Sequence, residues 1–393
     1  MNYCLSFLLL LSVITCTSQT NNVNLKIKEA KKLQNNFDKG TGNSYYLQGM
    51  PKGYPIIGES CSPNYFDCTV AFYDDNFNLV TGYREPNYPG EKIMNIFSDD
   101  LDMDGDPEIL MCVRKIKPGM VCLNWDPEKK ELHEKWIFSM EGKDGGAFHR
   151  GSIAGNFTDH PGKEVCFGSS RGILYLLTSE GKLITTVELN GQTVQRICTC
   201  DLDHDGYDEM IISAGRSPGE VIFCRWDPKS LKLKKIWETN VTLPERSGNN
   251  CYEAVFHPNG HPDGGPAIGA VTERESKDGK QVLEGSFLLL DMEGNIIWQH
   301  VLPPSDGKAG GCDFKDITGD GIPELIGRYF YKRTAEGAGL LIYNNKGEQL
   351  GKYPGVEPTS AGPAIFYQTK NNKKKTYCVA MNKVYQILNE ETN

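Results

Sequence analysis

The sequence contains no Cys-x-x-Cys pair, which removes the usual spacing of a structural zinc site. Basic residues are in deficit: 42 Lys and Arg stand against 51 Asp and Glu, for a formal charge of −9. A nucleic-acid partner needs a dominant basic surface, so none is expected. After residue 45 no stretch carries the apolar period of an amphipathic helix. Beyond the N-terminus no apolar run is long enough to cross a bilayer. What is present is a chain of 393 residues, 39% hydrophobic, whose apolar residues come in short β-type runs. It can bury a large core, and its length alone does not imply several domains.

Residues 1–16 lack any charged side chain, and Leu5 to Ile14 is apolar. This reads as a short export signal and not as a spanning helix. Val13-Ile-Thr-Cys16 resembles a bacterial lipobox, which implies lipidation of Cys16; ordinary cleavage a few residues later is the alternative. The expected organisation is a signal peptide over 1–15, a polar tether over 16–22 and one folded domain over 23–390. The expected location is the cell envelope, with membrane contact only through the lipid anchor.

The chain is dominated by an acidic loop that returns. Asp100-Leu-Asp102-Met-Asp104-Gly105-Asp-Pro-Glu108 is matched by Asp201-Leu-Asp203-His-Asp205-Gly206-Tyr-Asp-Glu209 and by Asp316-Ile-Thr318-Gly-Asp320-Gly321-Ile-Pro-Glu324. Oxygen ligands at positions 1, 3 and 5, a turn glycine at 6 and an acid at 9 suit a hard cation, and calcium (Ca2+) is the expected cofactor, in a structural role. An Asx-turn network without metal is the alternative. The flanks are the β-type runs Met94–Phe97 and Ile109–Val113, so these are loops between strands.

A weaker copy begins at Asn156 and a degenerate one covers 257–265. The starts at 100, 156, 201 and 316 are 56, 45 and 115 residues apart, the last gap holding two units. That spacing matches a four-stranded propeller blade. Units fall near 45–90, 95–140, 148–190, 194–240, 250–302, 309–353 and 358–389, so the expected fold is an all-β, seven-bladed β-propeller, with six blades as the alternative. The last unit lacks its fourth strand, which Asn24–Lys28 would supply to close the ring and remove the exposed edge.

These loops resemble the FG-GAP/VCBS repeats of integrin-α-like propellers, which implies calcium between the first two strands of a blade. The segment from His149 to Val165, and that from Asp313 to Ile326, also resemble rhamnogalacturonan lyase propellers. The fold itself hosts both binding modules and enzymes.

Cysteines beyond Cys16 number eleven and mostly lie in apolar runs. The pairs Cys61–Cys68 and Cys112–Cys122 are weighed against eleven free, buried thiols. Asn156-Phe-Thr158 and Asn240-Val-Thr242 fit glycosylation acceptors.

Blade geometry opens two sets of positions on one face. Loops leading into first strands carry His149, Arg150, Arg196, Tyr252 and Lys308, and loops after second strands carry Arg114, Arg171, Arg216, Arg274, Arg328 and Tyr329. Guanidinium forks there would bind carboxylate or sulfate; the alternative is that they pair with acidic loops of neighbouring blades. Two functions follow. A polysaccharide lyase would cleave an acidic, uronate-containing glycan by β-elimination, with His149 as base and Tyr252 as acid, or Tyr252 in both roles. A monomeric, non-catalytic propeller would capture acidic polysaccharide or oligosaccharide, or a protein partner, with Tyr329 and Tyr331 stacking on sugar rings. Adhesion of the integrin type is a third option.

Overall fold

The computed structural model describes residues 25–33, 43–60, 69–84, 92–114, 119–140, 148–189, 192–215, 219–241, 250–277, 280–331, 337–356, 364–370, 373–380 and 383–389. The expected signal and tether, Cys16, the Cys61–Cys68 pair and Arg216 lie outside these residues. The described strands form seven antiparallel four-stranded sheets. First strands of successive sheets touch all the way round, and the last touches the first, so the sheets are blades of a closed ring. Blades 1 to 6 span 44–84, 92–139, 148–188, 194–240, 250–301 and 308–354. Among the described residues no helix is long and apolar enough to cross a membrane.

Blade 7 is assembled from both ends of the chain. Ala364–Lys370, Lys373–Ala380 and Lys383–Asn389 are its first three strands, and Leu25–Lys32 pairs antiparallel with the third, Ile27 facing Ile387. The Tyr353 hydroxyl of blade 6 donates to the Leu25 carbonyl at 2.8 Å. Seven blades and closure by the N-terminal segment are therefore as the sequence implied.

Burial follows strand order. Second strands such as Glu164–Ser169 and Glu209–Gly215 are buried throughout, because neighbouring blades cover both of their faces. Fourth strands such as Leu183–Glu188 and Gln349–Pro354 are never fully buried, with exposed and half-buried residues mixed along them. The core is accordingly divided into seven hydrophobic clusters, one at each junction between adjacent blades.

A second repeated device ties blade to blade. Trp136, Trp237 and Trp298, on the fourth strands of blades 2, 4 and 5, donate their indole N–H to the carbonyls of Ser179, Met292 and Asn345 in the next blade, at 2.8, 2.7 and 3.0 Å. Beneath each ring lies a turn glycine, Gly181, Gly294 or Gly347, whose φ lies between 76° and 86° and where a Cβ would come within 3.0 Å of the ring. Glycine is required there both by backbone conformation and by the approach of the indole.

The nine described cysteines are free. Cys112 faces Met120 and Cys122 faces Leu110 across their hairpin. Of the two alternatives weighed for Cys112 and Cys122, the free thiols are found, because the register offsets the two side chains. Burial pushes the Cys112 thiol up to about 12, leaving it protonated and inert.

Two outcomes follow from this packing. A chain lacking Leu25–Lys32 exposes the edge Lys383–Asn389 and should associate on size-exclusion chromatography and lose its single thermal transition; a monomer with unchanged melting would contradict the closure. Trp237→Phe keeps most of the ring but loses one interblade bond, and should cost about 1 kcal/mol in denaturant unfolding.

Candidate functional site

The acidic loops join first strands to second strands. In each, the glutamate at position 9 is buried and turns back to accept the backbone N–H at position 2. Leu101 donates to Glu108, Phe157 to Glu164, Leu202 to Glu209 and Ile317 to Glu324, at 2.9, 2.8, 2.9 and 2.8 Å. Asp100 accepts the amides of Asp104 and Gly105 at 3.1 and 3.0 Å, and Asp316 those of Gly319 and Gly321 at 2.7 and 3.2 Å. Gly105, Gly206 and Gly321 all have φ near +90°, which is why position 6 is glycine.

Two of these loops gather carboxylates into a cage. Asp100, Asp102 and Glu108 bring one oxygen each within 4.8 Å of one another, as do Asp201, Asp203 and Glu209. Each cage holds a cationic side chain of the protein. Lys135 Nζ lies 2.6 Å from both Asp102 and Glu108. Arg225 Nη1 lies 3.0, 3.2 and 3.7 Å from Asp203, Asp205 and Glu209. In blade 6, Thr318 donates through its N–H and hydroxyl to Glu324, and Asp320 accepts from Ile322 N.

The residues fit a hard divalent ion. Their donors are all oxygen, and Asp201 Oδ1 is buried with no hydrogen-bond partner. These clusters can hold a metal ion, which would displace Lys135 or Arg225 from its cage. Burial raises the carboxyls of Glu108, Glu164 and Glu209, and pushes that of Glu324 up to about 7.

The opposite ends of the blades carry the second feature. At the end where first strands begin, each of blades 2 to 6 has a register break: between Ile93 and Asn95, Phe148 and Ser152, Val194 and Arg196, Cys251 and Glu253, and Ala309 and Cys312. The residues that follow these breaks reach one another. Asn95 Nδ2 donates to Ser152 Oγ at 2.9 Å, and Arg196 Nη1 donates to Asn95 Oδ1 at 3.3 Å. Arg196 Nε pairs with Glu253 at 3.3 Å, and Cys312 N donates to Glu253 at 3.3 Å. First strands of blades 2 to 6 are thus laced by a polar belt. Sequence reasoning missed Asn95 and Ser152; the signal was a polar residue four or five positions ahead of each loop.

The expected basic residues meet different fates. Lys308 is buried, pairs with Glu273 of blade 5 at 3.0 Å and lies 4.9 Å over the Phe330 ring. Arg328 is only 1% exposed and lies near the Cys378 thiol of blade 7, which burial pushes up to about 12 against the opposing charge of that guanidinium. Arg171 is exposed in the turn after its second strand. Arg114 and Arg274 lie on second strands, and His149 and Arg150 on the first strand Phe148–Gly155; their side chains are outside the described parts. Tyr252 sits at the blade 5 break and is 9% exposed, and Tyr329 is buried with Lys352 Nζ 5.1 Å over its ring.

No family model matches the sequence, and no curated protein matches it. Solved structures do. BBS1N in complex with ARL6DN is 10% identical with a TM-score of 0.53, covering 93% of this chain and 95% of that one. The Dos1 propeller is 11% identical with a TM-score of 0.53, covering 89% and 78%. The V. cholerae biofilm matrix protein Bap1 is 13% identical with a TM-score of 0.50, covering 89% and 77%. At such identities the likeness is one of fold, a seven-bladed propeller.

Glu324 sets the sign of a pH effect. Its carboxyl is raised from 4.5 to about 7 in the folded chain, so the folded state holds the proton more tightly than the unfolded one. In the presence of chelator, the stability this carboxyl contributes should be full below about pH 4.5, fall as pH rises to about 7, then level off. Calorimetry across that range should show a flatter profile for Glu324→Gln. Glu209→Ala leaves the Leu202 N–H without its acceptor and should cost about 1–3 kcal/mol in chemical denaturation.

Proposed function

We propose that this chain is an exported, calcium-stabilised propeller that binds an acidic polysaccharide or oligosaccharide without transforming it. The observation that carries this reading is the pairing at the channel. Arg196 is engaged by Glu253 and Asn95, and Lys308 by Glu273. Those cations serve the ring and are not offered to a uronate carboxylate, whose neutralisation β-elimination requires. Binding asks less: Arg114, Arg171 and Arg274, which belong to blades 2, 3 and 5, would grip carboxylates on a long anionic chain. Asp100, Asp102, Asp104 and Glu108, with Asp201, Asp203, Asp205 and Glu209 and with Asp316, Thr318, Asp320 and Glu324, would hold Ca2+, which supplies loop rigidity. These loops keep the chain close to FG-GAP/VCBS repeats in design. Cys16 would tether the monomer to the envelope.

A lyase of the rhamnogalacturonan type is the second reading, favoured by one observation. The backbones of His149 and Tyr252 both lie at register breaks of first strands, at the same end of the ring, and bulges often re-aim side chains at active sites.

Calorimetric titration with polygalacturonate and alginate tests the first reading, with neutral dextran as control. Arg171→Ala should weaken the polyuronate about tenfold, or about 1.4 kcal/mol; no binding to either polymer removes the proposal. Growth of ultraviolet absorbance from an unsaturated uronate, abolished in His149→Ala, would move the assignment to the lyase.

A further inference from the structure

Away from the first strands, a cavity of about 270 Å³ opens between the outer parts of blades 3 and 4. Val187, Leu189, Ile222 and Leu233 give it an apolar floor, and the acids at its rim are Glu188, Glu220 and Glu238. Its one lysine, Lys235, pairs with Glu238 at 2.7 Å, so the lining keeps a negative excess.

Glu220 is the unusual group. It is the second residue of the third strand of blade 4, Gly219–Trp226, and is half-buried. Among the described residues its carboxylate has no hydrogen-bond or ion-pair partner. Burial first, and then the charge of Glu238, push its carboxyl above the ordinary range, against the opposing pull of Lys235. Three carboxylates share this lining with a single ammonium, which leaves it with a net negative charge. Here a cation is the missing complement.

We infer that the pocket between blades 3 and 4 binds a small organic cation with an aliphatic body, an alkylammonium, its chain on the apolar floor and its ammonium against Glu220. The same chemistry is offered by a free alkylamine and by the side chain of a partner's lysine. A neutral ligand would leave Glu220 uncompensated, and an anion would meet three carboxylates.

The test is a titration followed by the methyl NMR signals of Val187, Leu189, Ile222 and Leu233. n-Pentylammonium should give a saturable shift, and 1-pentanol, its neutral counterpart, should bind at least tenfold more weakly. Glu220→Gln keeps the shape of the side chain and should weaken n-pentylammonium about tenfold. Leu233→Trp fills the floor and should abolish the shift while Glu220 remains. Nα-acetyl-lysine amide separates the sources: binding within a few fold of n-pentylammonium supports a partner's lysine, and its absence supports a free amine. An absent or unsaturable shift, equal binding of 1-pentanol, or undiminished binding to Glu220→Gln overturns the inference. None of these outcomes bears on polyuronate binding.

Discussion

A buried glutamate that accepts the amide seven residues before it is the contact on which this protein depends. Glu108, Glu164, Glu209 and Glu324 each make it. The bond closes the loop between first and second strands and directs the residue at position 2 inward, where Leu101, Phe157 and Ile317 enter the cores between blades. Four turns of one shape therefore start four blades at one pitch. A carboxylate in such a place is expensive to keep charged, which explains why lysine, arginine or threonine groups gather around it and why a divalent ion would be well received.

The ring is stabilised one junction at a time. Each pair of blades shares its own hydrophobic cluster, and three of the junctions carry the same indole-to-carbonyl bond. Since no single core holds everything, closure matters more than any blade. The pairing of Leu25–Lys32 with Lys383–Asn389 converts two chain ends into one sheet and leaves no inner edge unpaired. Such a frame is indifferent to chemistry, and the remote likeness to other propellers therefore speaks only of architecture.

Charge distinguishes the regions on which function can rest. At the first strands, cations and acids are matched: Arg196 with Glu253, Lys308 with Glu273. In the loops, Lys135 and Arg225 stand among carboxylates. The pocket between blades 3 and 4 differs, because three glutamates share it with a single lysine. Complementarity inside the protein rigidifies, and its absence at a cavity invites a ligand.

Much of the architecture was legible in the residues. Loop spacing, position-6 glycines and β-type flanks implied seven blades, and the incomplete last unit implied a strand from the N-terminus. Those features are local: a turn is decided by groups within nine residues of one another, so a linear pattern records it. The tertiary structure decided the rest. It withdrew Arg328 into the interior, bound Lys308 to Glu273, offset Cys112 from Cys122, and seated Lys135 and Arg225 in the acidic cages. Register, burial and ion pairing join side chains from strands far apart in sequence. Their energies depend on the distances and desolvation that only the assembled ring sets.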